Sequence, residues 1–289
     1  MSEQPVYTFE QEIELWSQQS VTVYPKAKPF LKWAGGKRQI MPDLLRHVPQ
    51  KYNNYFEPFL GGGALFFELS PKMAIVSDIN LRLIRTYRAI RDDVDGVIEL
   101  LQKCKYEKDF FYHMRDIYID SQTDTEVAAW MIFLNKTGFN GLYRVNRFNT
   151  FNVPFGKYTN PTICDVSNLK ACSLALEAVD ILHEDFSGVL KRAKKGDFVY
   201  MDPPYVPASK TASFSAYSAE GFFPHDQIRL RDFALELKKR GVKVLLSNSS
   251  TDYVKKLYSE GFDMEEVNAT RNISCKGNKR DAVKELIIW

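Results

Sequence analysis

Apolar residues along this chain come in short runs, separated by stretches in which they recur at helical spacing. Tyr55–Leu60 is one such run and leads into Gly61-Gly62-Gly63; Ala74–Val76 is another and ends at Ser77-Asp78. Ile181–Leu182, Phe198–Met201, Val242–Leu246 and Leu286–Ile288 complete the predicted strands. Helical periodicity covers about Leu81–Arg91, continues in further segments to about Phe133, and returns at Gln227–Lys239 and Tyr253–Glu260. Strands alternating with helices predict an α/β sheet with crossover helices.

One interval breaks that rhythm. About 100 positions separate Ser77 from Ile181, whereas a βαβ unit needs only ~30 residues. The excess is too long for a structureless loop. It predicts a mostly helical inserted domain at 90–175, with the sheet domain divided into 29–89 and 176–289. Residues 1–28 are polar and mixed, and are expected to form a poorly fixed arm.

Composition narrows the classes. The 289 residues are 45% hydrophobic and 26% charged, which is ordinary for a folded globular chain. There is no apolar run long enough for a membrane span, and the acidic N-terminus is no signal peptide. Cys104, Cys164, Cys172 and Cys275 form no CxxC pair, and His47, His113, His183 and His225 show no metal spacing. No metal or disulfide scaffold is expected, and a reducing cytoplasm fits this usage. The net charge of +3 says little by itself. Its distribution says more. Between Glu126 and Asp165 there is no acid, while Lys136, Arg144, Arg147 and Lys157 supply positive charge and six asparagines supply amides. Phe139, Tyr143, Phe148 and Phe151 are interleaved with them. Arginine and asparagine in that density suit base edges and phosphates. A second basic cluster, Arg271, Lys276, Lys279 and Arg280, is a candidate phosphate-contacting loop.

Two motifs carry candidate chemistry. The first is Glu57-Pro58-Phe59-Leu60-Gly61-Gly62-Gly63, at a strand-to-helix turn, followed by Asp78 at the end of the next strand. Glycines there let backbone approach a ligand, and the acid can accept hydrogen bonds from ribose hydroxyls. The set suits a cofactor containing a nucleoside, although the third glycine of GxGxxG is replaced by Phe66. Lys32-Trp33-Ala34-Gly35-Gly36-Lys37-Arg38 is not a phosphate loop, because Leu31 and Arg38 stand where glycine and Ser or Thr belong. The second motif is Asp202-Pro203-Pro204-Tyr205, directly after Phe198–Met201. The prolines stop the strand and remove N–H donors. A carboxylate, free carbonyls and a ring remain. These suit a planar ring bearing an exocyclic amine, with the amine's lone pair turned toward a methyl sulfonium.

KWAGGK, FEPFLGGGAL, SDIN, NGLYRVN with FNVPFGKY, DPPY and LLSNSS occur in this order. Together they resemble the Dam-type adenine-N6 DNA methyltransferases, which include the bacterial GATC methylase and the modification methylases of GATC restriction systems. The resemblance runs from about Phe30 to the C-terminus. It implies a Rossmann-like, S-adenosylmethionine-dependent methyltransferase sheet with an inserted target-recognition domain. By resemblance, Asp202, Pro203, Pro204 and Tyr205 are catalytic. Trp33, Lys37, Glu57, Pro58, Phe59, Gly61, Gly62, Gly63, Asp78, Asp185, Phe186 and Asp202 bind the cofactor. Lys32, Phe139, Asn140, Leu142, Arg144, Asn146 and Lys157 contact DNA, with Phe139 entering the duplex and Arg144 reading a base. The stretch between Ala208 and Phe223 resembles a mobile loop. The expected reaction is transfer of a methyl group to N6 of a flipped-out adenine in double-stranded GATC, in a bacterial, archaeal or phage setting, with a separately encoded endonuclease as a possible partner. The competing readings are methylation of cytosine N4, of RNA adenine or of a protein glutamine, and a nucleic-acid-binding regulator with an inactive core.

Overall fold

The computed structural model describes residues 8, 10, 23–33, 35–205, 222–270 and 282–289. Most of the N-terminal arm, Ala34, the stretch 206–221 and the cluster Arg271, Lys276, Lys279 and Arg280 lie outside the described residues.

Seven strands form one sheet: β1 (Tyr55–Glu57), β2 (Ala74–Asp78), β3 (Val179–His183), β4 (Phe198–Met201), β5 (Lys243–Ser249), β6 (Met264–Thr270) and β7 (Ala282–Ile288). Their order is β3-β2-β1-β4-β5-β7-β6. The first five are parallel, and β7 runs antiparallel between β5 and β6. Alternate residues feed opposite faces, as a period of two requires. Tyr55, Tyr200, Leu245 and Ile287 enter one apolar cluster; Phe56, Val199, Met201, Leu246 and Leu286 enter the other. Burial on both faces explains why these strands read as continuous apolar runs.

The predicted strands and the observed ones differ at their ends. The first stops at Glu57, because Leu60 belongs to the turn that Gly63 N–H closes onto its carbonyl. Val242 precedes β5 rather than starting it. Strand β6 was not anticipated: its sequence MEEVNAT holds no apolar run. It is an edge strand, where charged residues protect an open edge from pairing. Its Glu266 takes ion pairs from Lys255 (2.7 Å) and Lys284 (2.5 Å).

Nine α-helices are described: α1 (Met41–His47), α2 (Ala64–Leu69), α3 (Leu81–Asp92), α4 (Val94–Lys103), α5 (Lys108–Arg115), α6 (Asp124–Thr137), α7 (Val166–Leu176), α8 (Pro224–Lys239) and α9 (Asp252–Tyr258). In α6 the residues Val127–Asn135 are all buried, so it forms the centre of the segment between β2 and β3. Thr123 and Glu126 cap its start reciprocally. The Arg82 guanidinium on α3 holds both oxygens of Asp120 just ahead of it (2.6 and 2.7 Å). Between Thr137 and Val166 the chain has no α-helix, only a short 3-10 turn at Phe139–Gly141, and forms two isolated bridges, Gly138 with Phe155 and Val145 with Phe151. No helix among the described residues is long and apolar enough to cross a membrane.

The chain runs outward from β1 to β2 and β3, then returns to β4 on the other side of β1. In an open α/β sheet that reversal opens a crevice beyond the carboxyl ends of the strands. Glu57, Asp78 and Asp202 all stand at those ends.

Candidate active site

Three strand ends and one buried lysine build the site. Lys37 follows the Gly35-Gly36 turn and is only 3% exposed. An ammonium so deeply buried needs partners, and it has several. Its Nζ donates to the Gly35 carbonyl (2.6 Å), lies 2.9 Å from Asp202 Oδ1 and 3.9 Å from Glu285 Oε2, and sits 4.6 Å over the Tyr205 ring. Ser247 on β5 donates to the same Asp202 oxygen at 2.8 Å. Burial pushes the Asp202 carboxyl above the usual aspartate range, while Lys37 and Ser247 pull it down. Pro204's carbonyl accepts from Gln227 Nε2 (3.1 Å), and the Gln227 carboxamide oxygen accepts from Asn248. The Tyr205 hydroxyl donates to Glu285 at 2.7 Å. The tetrapeptide is therefore held from β5, β7 and α8.

At the end of β1, Glu57 is 2% exposed and accepts from the Tyr55 hydroxyl at 2.7 Å. Burial raises its pKa to about 8. Asp78 is pinned in place: Oδ2 accepts from Gly61 N–H (3.0 Å) and Oδ1 from Asn80 N–H (2.9 Å). Asp78 is not the helix cap; that is Asn80, whose side chain accepts from Leu83 N–H. Burial pushes the Asp78 carboxyl up against those hydrogen bonds. Gly61 has φ +47°, and a Cβ there would lie 2.7 Å from the Trp33 ring. Beyond lies an aromatic wall. Phe59 stacks on Phe186 at 5.4 Å and meets Phe222 edge-on. Asp185 beside it is gripped by both terminal nitrogens of Arg229 (3.1 and 2.9 Å), whose guanidinium also lies 4.3 Å over Phe186. Burial opposes ionisation of Asp185, but bonds from Ser187 and Arg229 hold it below the usual range.

The residues expected to meet DNA form a second surface. Lys32, Phe139, Asn140, Arg144 and Lys157 are exposed; Leu142 and Asn146 are half-buried. Leu142 packs against the core. Asn140 takes φ +55° in the turn at Phe139–Gly141. Gly141, at φ +64°, lies against Lys32, where a Cβ would meet the Lys32 side chain at 2.3 Å. Arg144 to Asn152 forms a hairpin, tied by Asn152 N–H to the Arg144 carbonyl and by Asn146 N–H to the Thr150 carbonyl. Asn146 Oδ1 accepts from Phe148 and Thr150 N–H and shapes its tip. Trp33 stacks on Tyr143 (5.5 Å, 21°), which joins this surface to the glycine loop.

A family model, D12 class N6 adenine-specific DNA methyltransferase, matches residues 33–273. The chain belongs to that family. A type II methyltransferase of Lactococcus lactis subsp. cremoris is 44% identical over 269 residues, covering 90% of this chain and 94% of its own. A type II methyltransferase of Methanocaldococcus jannaschii is 45% identical over 286 residues, covering 91% and 99%. The DNA adenine methylase of Escherichia coli K12 is 33% identical over 266 residues, covering 91% and 95%. The resemblance read from the motifs is thus the family of this methyltransferase, and adenine in DNA is its substrate. Of the residues that surround Asp202 and Tyr205, Glu285 and Gln227 were not singled out from the sequence, and Ser247 stood only within the LLSNSS motif, with no role assigned. Glu285 left one faint signal, a lone acid directly before the apolar run Leu286–Ile288.

Proposed function

We propose that this methyltransferase modifies N6 of adenine in double-stranded GATC, with S-adenosylmethionine as donor and the target base flipped out of the helix. The observation that carries the reading is the state of Asp202. Lys37 and Ser247 both approach Oδ1, and among the described residues none bonds to Oδ2, which leaves that oxygen to a substrate amine.

The residues present fit the donor. Asp78, pinned by Gly61 and Asn80, suits ribose hydroxyls. The Gly61–Gly63 turn, closed down on Trp33, leaves backbone rather than side chain facing the crevice. Phe59 and Phe186 suit an adenine ring and Asp185 its amine. Trp33, Lys37, Glu57, Pro58 and Asp202 complete the set. When bound, S-adenosylmethionine supplies an electrophilic methyl group on a sulfonium.

The chain's own groups orient the nucleophile. Asp202 Oδ2 and the Pro203 carbonyl each accept one hydrogen of the adenine amine. That pairing draws the nitrogen out of conjugation and points its lone pair into the crevice. Tyr205 presents its ring to the base. This is catalysis by positioning and fixed electrostatics. Residues 90–175 serve as the target-recognition domain, supported by the absence of acids between Glu126 and Asp165. Phe139 enters the duplex, Arg144 reads a base, and Lys32, Asn140, Leu142, Asn146 and Lys157 line the contact. Likeness to type II methyltransferases supports a modification role beside a separately encoded endonuclease, on DNA in a cytoplasm.

Expression in a host free of adenine methylation tests this. Its DNA should resist a nuclease blocked by N6-methyl-GATC, and sequencing should place methyladenine in GATC. Continued cutting with folded enzyme present overturns the site assignment. Asp202→Ala should abolish transfer while DNA binding survives.

A further inference from the structure

We propose that Glu285 is a positioning residue for methyl transfer: by accepting from the Tyr205 phenol it fixes that ring beside the Asp202 carboxylate. The inference rests on the functional reading above.

Glu285 lies on β7, far along the chain from the Asp-Pro-Pro-Tyr turn. The antiparallel β7 sets it opposite Ser249 on β5 and Val267 on β6. The neighbouring Leu286, Ile287 and Ile288 are buried apolar residues of the two clusters. A carboxylate at the end of such a run is costly unless it is bonded. Its Oε2 accepts from the Tyr205 hydroxyl at 2.7 Å and lies 3.9 Å from Lys37 Nζ. The same ammonium is 2.9 Å from Asp202 Oδ1 and 4.6 Å from the centre of the Tyr205 ring. Tyr205 is therefore held at two points, its face by Lys37 and its far end by Glu285. The prolines before it fix the backbone but not the side-chain torsions. A ring meant to lie flat on a base needs those torsions fixed as well.

A different role would satisfy the same burial: Glu285 could serve only to balance the charge of Lys37. Two variants separate the roles. Glu285→Asp keeps the charge but draws the carboxylate back from the phenol. Glu285→Gln gives up the charge but keeps an oxygen within reach of it. Positioning requires that Asp fail and Gln succeed; charge balance requires the reverse.

The experiment measures methyl transfer to a GATC duplex by the full-length enzyme, with thermal unfolding of each variant in parallel. Glu285→Asp should lower kcat on the order of 10-fold, with KM for DNA changed less than about 3-fold. Glu285→Gln should stay within about 3-fold of wild type in kcat. In a Tyr205→Phe background, Glu285→Asp should cause no further loss, because the hydroxyl it positions is gone. The opposite order of the two variants, equal effects from both, or losses that multiply in the double variant would each overturn the proposal. A wild-type enzyme that transfers no methyl group to adenine would instead overturn the functional reading.

Discussion

Asn135 and Lys32 grip each other at both ends: Lys32 N–H donates to Asn135 Oδ1 and Asn135 Nδ2 donates to the Lys32 carbonyl, each at 2.8 Å. The carboxamide imitates one rung of strand pairing. Its Nδ2 also donates to the Gly141 carbonyl at 2.9 Å. One buried side chain thus ties the segment leading to Trp33 and Lys37 to the turn that carries Phe139 and Asn140. Asn135→Ala leaves an amide and two carbonyls without that partner, and should destabilise the fold by roughly 2–4 kcal/mol. Urea unfolding checks the value. A loss below about 1 kcal/mol would mean that the Trp33–Tyr143 stack holds the joint without it.

Arg144 is held before any DNA arrives. Its Nε donates to Asn152 Oδ1 at 2.7 Å and its Nη2 to the Asn152 carbonyl at 3.1 Å. The hairpin therefore presents the guanidinium in a set orientation. Arg144→Ala should cost ~1–3 kcal/mol of discrimination at one base pair. Asn152→Ala should produce a smaller loss at the same pair, because the arginine remains but is no longer oriented. Comparing kcat/KM on GATC and on singly altered sites checks both. A uniform loss across sequences would make Arg144 a phosphate contact.

Gly61 joins several demands at one residue. Its φ is +47°, its N–H binds Asp78, and its carbonyl accepts from the Tyr87 hydroxyl at 3.1 Å. Alanine there adds about 1–2 kcal/mol of backbone strain and drives a methyl group into Trp33. Gly61→Ala should weaken S-adenosylmethionine binding by about 10-fold or more in a calorimetric titration. Unchanged affinity would separate the turn from the donor site.

What was legible in the sequence follows from local physics. Phe198–Met201 is buried on both faces and reads as an unbroken apolar run, so its strand was found to the residue. Glycines and prolines announce their turns because few other residues tolerate them. Strand β6 was illegible, since an edge strand that places Glu265 half-buried and Glu266 exposed has no apolar signature. Glu285 was illegible for another reason. Its bond to the Tyr205 hydroxyl depends on the antiparallel pairing of β7 with β5, and no local pattern encodes that register. Asp78 shows the middle case: the acid was found, while its bond to the Gly61 amide needed the fold.

Glu57 offers a test in pH. Burial raises its carboxyl to about 8 from the ordinary 4.5. In the folded chain it is therefore protonated at pH 7, while in the unfolded chain it is ionised. Between those two values the unfolded state binds fewer protons, so this group's contribution to stability falls as pH rises through the window. Below the lower value there is no penalty; above the upper one the penalty is complete. Glu57→Gln cannot ionise and keeps an oxygen to accept from Tyr55. The stability of the Gln variant relative to wild type should therefore be flat below about pH 4.5 and climb by roughly 3–5 kcal/mol by about pH 8.5. Chemical unfolding of both proteins across that range checks it. Parallel stability curves would place an ionised Glu57 in the folded chain.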